Sequence, residues 1–468
     1  LFLGSAGALK HAGPALLLCY VIGGFVELLI MRQLGEMVVE EPVAGSFAHF
    51  AHKHWGGFAG FLSGWNYWLL YVLVGMAELT AIAKYVAYWA PAVPQWVPVL
   101  ACFVVVNAVN LINVRVFGEA EFWLSIVKVA AVSAMIVLGG WLVLTGGGAG
   151  IAAGGDIAAK GAVPAVSNLW TDGFFAGGFP DFAIALTLVM FSFGGLELVG
   201  VSAAEAAEPE RTIPKAVNQV LLRILIFYVG AVAVMLMLAP WRETLAAIDV
   251  AGTAGGAAGD AYAASPFVLI LEKTGVPGAA HILNFVILTA ALSVYNSGVY
   301  CDSRMLYGLA QKGAAPRGLA RLNRRGVPER ALALSAAATG AAVLLNYAAP
   351  AEAFGFLISV VVAALVLNWA LISLTHLKFR SAMRTAGTTT RFPSPLAPFS
   401  NYACIAFNAG ILLVMIFWAD MWKSAAALAL WLVLLTAAWA LLGRDRNAER
   451  RLSNAERRLS SRLGDDAA

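Results

Sequence analysis

Eleven separate apolar runs, each able to cross a bilayer as a helix at roughly 20 residues per span, leave this 468-residue chain few ways to fold. They lie at 14–31, 58–88, 96–114, 121–145, 181–204, 217–239, 278–308, 330–347, 353–377, 400–419 and 422–442, and an apolar remnant at 1–9 would make twelve. Residues are 60% apolar and 12% charged, against about 45–50% and about 25% in soluble domains. The chain therefore reads as an all-α polytopic membrane protein, with a transmembrane domain over 1–442 and a basic tail over 443–468. Pro14, Pro91, Pro94, Pro180, Pro240, Pro328 and Pro350 sit at the ends of runs, where a missing N–H does least harm. A net charge of +4 is too small to imply nucleic acid. Cys19, Cys102, Cys301 and Cys404 are far apart and read as small core residues, not as disulfides or metal ligands.

Orientation follows from Lys and Arg in the short connections. The 303–330 connection holds Arg304, Lys312, Arg317, Arg321, Arg324, Arg325 and Arg330 against the single acid Glu329. Residues 378–391 add Lys378, Arg380, Arg384 and Arg391 with no acid. Both belong on the cytoplasmic side, and an even number of spans between them keeps the assignment consistent. The C-terminal tail then also lies inside. It contains a tandem repeat, 447–453 followed by 454–460, in a heptad-like pattern that reads as a duplication in a tolerant segment. Residues 146–165 and 251–264, Gly/Ala-rich and nearly uncharged, read as flexible connections on the opposite side. The first residues, Leu1-Phe2-Leu3-Gly4, open in mid-run without an initiator Met, so upstream sequence is expected.

One run is a poor membrane anchor. Within 181–204, Phe191-Ser192-Phe193-Gly194-Gly195-Leu196-Glu197 places two glycines, each costing about 1 kcal/mol in a helix interior, beside a carboxylate. Unwound backbone is tolerated at membrane depth only around a protein-lined or watery cavity, which makes this stretch half of a candidate midplane binding site. Glu197 either holds the unwound segment or lines the pathway, and the two roles are compatible.

Other ionisable residues inside apolar runs are functional candidates by default. In 58–88, Tyr67, Tyr71, Val74 and Glu78 share one helix face by their spacing. That face either lines a cavity or is ordinary core around a satisfied structural acid. Lys128 lies two turns into its span. It can bind and release a proton within a transport cycle, or its ammonium can snorkel to the interface. Glu27 stands alone in an apolar run without explanation. His49, His52 and His54 mimic a metal cluster but lie in an amphipathic connection lacking Cys or a suitably placed Asp, so no metal site is assigned. No cofactor-binding or catalytic motif is present, and nothing in the residues sets an oligomeric state.

Several stretches together resemble one family. These are Met31–Met37 with Pro42–Phe47, Ser63–Trp68, Phe191–Glu197 running on to Glu205, Pro209 and Ile213-Pro214-Lys215-Ala216, and Ala291–Ser297 through Arg304–Ala310. Over essentially the whole chain they resemble the bacterial amino acid permeases of the amino acid–polyamine–organocation superfamily, and within it the members that take aromatic amino acids.

The resemblance implies a LeuT-type fold of two inverted five-helix repeats plus two further helices, with helices one and six unwound. It implies proton-coupled import of phenylalanine, tyrosine and tryptophan across the bacterial inner membrane. The substrate carboxylate would meet the N-terminus of the second half of helix one. Its ammonium would meet carbonyls of helix six at Phe191, Ser192, Phe193, Gly194 and Gly195, and its side chain would face helices three, six, eight and ten. Lys128 matches a helix-five lysine that takes the place of sodium in some proton-coupled relatives. Tyr71 matches the form found in general aromatic permeases, where a phenylalanine-preferring relative has Phe. The Gly-rich break of helix one would lie just before Leu1, so the chain as it stands is not expected to transport although the intact protein is. A permease of the same fold for histidine, proline or 4-aminobutyrate remains open. A membrane amino acid sensor is a further alternative, without a signalling domain to support it.

Overall fold

The computed structural model describes residues 3–43, 45–112, 114–145, 165–202, 208–254, 265–273, 277–349, 352–418 and 421–441. Glu205, most of the two Gly/Ala-rich connections and the whole tail with its tandem repeat lie outside the described residues. Among the described residues the apolar runs form helices, the one at 181–204 with a break, and no strand occurs. Ten helical stretches are long and apolar enough to cross a membrane, and Trp96–Leu111 is a shorter apolar helix.

The helices are α1 Ser5–Ala12, α2 Leu16–Glu40, α3 Ser46–His54, α4 Gly57–Ala87, α5 Trp96–Ile112 and α6 Val114–Leu144. There follow α7 Phe179–Val189, α8 Leu198–Ser202, α9 Pro209–Arg223, a π-helical turn Ile224–Gly230, and α10 Ala231–Leu238. Then come α11 Trp241–Ala254, α12 Pro266–Lys273, α13 Ala279–Gln311, α14 Glu329–Thr339, α15 Ala341–Ala348, α16 Ala353–Thr385 and α17 Phe399–Phe417. Trp422–Leu441 is α18. Several helices outrun their apolar stretches, α2 by nine residues and α16 by eight, because polar turns continue past the bilayer core once the helix is nucleated. Two corrections concern 239–277. α11 and α12 lie between the seventh and eighth crossings, and α11 carries helix into residues 251–254, expected as loop. Both are short and amphipathic, so neither registers as an apolar run.

Counting α1 as the first crossing, helices five apart in order pack on each other. α1 packs on α7, α2 on α9, α4 on α13 and α5 on α15. The off-diagonal partners repeat as well, with α4 on α16 and α6 on α13. Five crossings are an odd number, so the second unit enters from the opposite side, which makes the repeat inverted. α16 is the central element, with 83% of its apolar window buried, while the windows of Ser125–Leu144 and α18 are 17% buried and face outward.

Lipid is as apolar as leucine, so close packing and interhelical hydrogen bonds hold such a bundle together. α4 collects these bonds. Asn66 Nδ2 donates to the Ala364 carbonyl (2.9 Å), Trp68 Nε1 to Ser335 Oγ (2.9 Å), and Asn346 Nδ2 to Thr80 Oγ1 (2.7 Å). Asn284 Nδ2 donates to the Tyr85 carbonyl at 2.9 Å. Gly60 lets α3 lie on α4, since a β carbon there would stand 2.6 Å from the His52 β carbon and 3.0 Å from the Ala48 carbonyl.

One end of the bundle gathers the basic connections. His54 of α3 meets Phe379 of α16, and the Lys312 ammonium after α13 lies 3.6 Å from where a β carbon on Gly45 would be. Burial lowers the Lys312 pKa from its ordinary value. His49 and Lys53 both bond Glu41, at 3.2 and 2.5 Å. Burial would raise the Glu41 pKa, but the bond and charge of Lys53, with His49, hold it below the usual carboxylate value.

A buried clasp ties this end together. Glu36 of α2 is inaccessible to solvent and takes four partners. His376 Nε2 lies 2.9 Å from Oε2 and Arg380 3.1 Å from Oε1, the Thr390 hydroxyl donates to Oε1 at 2.7 Å, and the Ser394 N–H donates to Oε2 at 2.6 Å. Asn401 Nδ2 donates to His376 Nδ1 at 2.9 Å, which leaves the ring proton on Nε2, pointing at Glu36.

Candidate functional site

The sixth crossing is broken where its glycines stand. α7 ends at Val189 and tightens into a 3₁₀ turn, Met190–Phe193. Gly194 then leaves helical space (φ −56°, ψ 137°) and Gly195 takes φ +100°, a conformation that favours glycine. Helix resumes at Leu198 as α8. The Gly195 N–H is diverted to Glu197 Oε2 at 3.1 Å, and the Leu196 N–H turns back to the Phe193 carbonyl at 3.4 Å. Neither returns to the Ser192 carbonyl, so the turn leaves that oxygen without its regular helical donor.

A cavity of about 540 Å³ opens against this break, within the roughly 300–1,000 Å³ typical of small-ligand sites. Phe191, Ser192, Gly194, Gly195, Leu196 and Glu197 form one wall. Opposite stand Tyr71, Val74 and Glu78 of α4, with Lys128 and Val132 of α6. α13 contributes Ile287, Ala291 and Ser297, and α16 contributes Phe354, Val361 and Leu365. Leu3 and Gly4, at the start of α1, complete the lining, as do Arg223 and, within the π-helical turn, Phe227 and Tyr228. Most of this wall is apolar and aromatic, with a few convergent polar groups. Such a wall suits a ligand with an apolar body and a polar head.

The candidates from the sequence do not all reach this space. Tyr71, Glu78, Lys128, Glu197, Phe191, Ser192, Gly194 and Gly195 line it together. Phe193 turns away and is fully buried, stacked on Tyr228 (ring centroids 5.4 Å apart, 24° between planes) and edge-on to Tyr20. Tyr67 is also enclosed, one turn from Tyr71, with its ring between Tyr71 (4.8 Å) and Phe47 (4.6 Å). Tyr71 sits closest to the break, its hydroxyl 3.7 Å from where a β carbon on Gly195 would stand.

The polar groups are held to different degrees. Lys128 Nζ donates to Ser293 Oγ at 2.6 Å, which joins α6 to α13. The Ser192 hydroxyl is 3.2 Å from that of Tyr20. Glu197 is fully buried, and its second oxygen, Oε1, has no hydrogen-bond partner. The indole N–H of Trp369 stands close by without completing a bond. The hydroxyls of Tyr67 and Tyr71 are likewise buried and unpartnered. Glu27 is buried within electrostatic reach of Glu197, with neither oxygen bonded, and does not line the cavity.

Sequence reasoning missed Arg223, Phe227, Tyr228 and Phe354 on the cavity wall, and it missed the Glu36 clasp. Arg223 and His376, as ionisable residues within apolar helices, carried the same signal that singled out Lys128. Phe227 and Tyr228 carried none, because a π-helical turn shifts the phase on which a helical face is read.

Comparison with known proteins agrees with this architecture. The family model described as "Amino acid permease" matches residues 1–448. The chain is 54% identical to the aromatic amino acid transport protein AroP of Escherichia coli K12 over 436 residues, 93% of this chain and 89% of that protein. It is 53% identical over the same shares to AroP of Salmonella typhimurium LT2. It is 38% identical over 463 residues to an uncharacterized amino acid permease, YtnA, of Bacillus subtilis 168, covering 98% of this chain and 94% of that one. The chain belongs to the amino acid permease family.

Proposed function

We propose that this protein imports aromatic amino acids (phenylalanine, tyrosine and tryptophan) into the bacterial cell by proton symport, through alternating access at the broken sixth crossing. It acts as a transporter and not as an enzyme, in the inner membrane, with its C-terminus cytoplasmic. The observation that carries the reading is the Gly194–Gly195 break opening onto a largely apolar cavity that also holds two carboxylates and an amine. The similarity to AroP supports the choice of substrate.

In this reading the carbonyls of Phe191, Ser192 and Gly194 receive the substrate ammonium, and Gly195 gives it room. The start of α1, where Leu3 and Gly4 lie, receives the carboxylate through N–H groups with no helical partner. The aromatic ring rests against Tyr71, Val74, Phe354 and Val361. Tyr67 and Phe193 support this surface from behind. Lys128, Glu78 and Glu197 are the groups through which proton movement is tied to substrate.

The full-length protein in proteoliposomes should accumulate labelled phenylalanine under an inward proton gradient. Unlabelled tyrosine and tryptophan should compete, whereas histidine, proline and 4-aminobutyrate should not. Accumulation driven by sodium alone would overturn the coupling, and competition by the second set of compounds would overturn the specificity. Lys128→Met should reduce uptake to equilibration without concentration. Normal accumulation in that variant would restrict Lys128 to bracing α6 against α13.

A further inference from the structure

A second cavity, of about 460 Å³, lies away from the helix break, where the end of α16 meets the start of α17. Arg380 and Arg384 line it, and no acid does. The Arg380 guanidinium is steadied from behind by Glu36 at 3.1 Å. That of Arg384 has no ion-pair partner among the described residues. Asn401 forms part of the wall and is fully buried. Its Nδ2 is committed to His376 and the Ser373 carbonyl, while its Oδ1 has no hydrogen-bond partner. The polar wall therefore offers two cations, the side chains of Thr388, Thr389 and Thr390, and a buried amide whose oxygen is unpaired. Leu377 and Met383 supply an apolar side.

The surroundings point to the source of a ligand. Leu396, Phe399 and Tyr402, next to the lining residues Ala397, Pro398 and Asn401, are 70%, 72% and 60% exposed. Such a group suits acyl chains and the interfacial belt better than water. The distribution of Lys and Arg puts this end of α16 at the cytoplasmic boundary, where anionic lipid is attracted by basic pockets between helices.

We propose that this cavity binds the headgroup of an anionic phospholipid carrying a free hydroxyl, of the phosphatidylglycerol kind. Its phosphate lies on Arg380 and Arg384, its hydroxyl donates to Asn401 Oδ1, and its acyl chains follow Phe399 and Tyr402. Bidentate pairing of guanidinium with phosphate gives the contact geometric specificity. A lipid held there braces the 386–398 connection, which also supplies Thr390 and Ser394 to Glu36. Free phosphate shares the arginine contacts only.

The test titrates phosphatidylglycerol, phosphatidylethanolamine or inorganic phosphate into the full-length protein in an uncharged detergent. Retained lipid is read by native mass spectrometry, and the thermal unfolding midpoint is read alongside. Phosphatidylglycerol should be retained and raise the midpoint, and the other two should do neither. Arg384→Glu should weaken retention by about ten-fold or more, while Arg324→Glu, the same charge change on another connection at this side, should leave it intact. Arg384→Gln serves in its place if the charge reversal fails to insert. Equal weakening by the Arg324 and Arg384 variants would reduce the effect to general attraction and overturn the site. Equal retention of phosphatidylethanolamine would overturn the headgroup assignment, and a full effect from inorganic phosphate would assign the cavity to a free anion instead.

Discussion

Glu36 and Glu197 are both fully buried carboxylates, yet the protein treats them in opposite ways. Glu36 is saturated, with His376, Arg380, Thr390 and the Ser394 N–H on its two oxygens. Glu197 takes one hydrogen bond, from Gly195, and its other oxygen is left without a partner beside a broken helix. An unpaired polar group costs roughly 1–3 kcal/mol, more if charged, and the fold tolerates that cost at one place while avoiding it at the other. Saturation marks a joint, and incomplete pairing marks a working surface.

Four substitutions press on that contrast, from the largest expected effect to the smallest. Glu36→Ala leaves the His376 Nε2–H and the Ser394 N–H without their acceptor and should cost several kcal/mol, at about 1–3 kcal/mol for each buried donor left unpaired. Thermal unfolding in detergent should show it, and a near-unchanged midpoint would mean the clasp holds nothing. Gly194→Leu should insert and fold but abolish phenylalanine uptake. Gly194 has a backbone conformation open to any residue, and its β carbon would already lie 3.3 Å from Leu365 at the cavity edge. Unchanged affinity there would remove the break from the substrate path.

Glu197→Gln keeps an acceptor for the Gly195 N–H, so its stability should stay within about 1 kcal/mol of the parent. Its proton-driven accumulation should nevertheless fall. A stability loss as large as that of Glu36→Ala would erase the distinction between joint and working surface. Tyr71→Phe deletes a hydroxyl that bonds nothing, and initial uptake rates should stay within about five-fold, less than about 1 kcal/mol. A larger loss would assign that hydroxyl a direct part in binding.

How far these features were readable from the chain depends on whether their cause is local. The break was legible because two glycines and a carboxylate contradict the apolar run that holds them. Tyr71, Val74 and Glu78 were legible as one face because α4 keeps its period for 31 residues. Tyr67 shares that face but lies nearer the end where α3 covers it, and no spacing rule says where a cavity stops. The Phe193 ring points away from the cavity for a different reason. The 3₁₀ turn winds more tightly than an α-helix, so successive residues point where an ideal helix would not send them. The Glu36 clasp joins residues 340 positions apart, and although His376 stood out within its apolar run, no local pattern paired it with Glu36.

The π-helical turn Ile224–Gly230 amounts to a one-residue insertion preserved in the backbone of the seventh crossing. An α-helix advances about 100° per residue, so the same extra residue in a regular helix would swing α10 by roughly that angle relative to α9, and the wide turn takes it up and keeps the two in phase. What the extra residue changes is the turn itself, which sends Phe227 to the cavity and stacks the Tyr228 ring on Phe193. A single-codon deletion within 224–230 should therefore leave α10 packed as before while disturbing the aromatic layer behind the break.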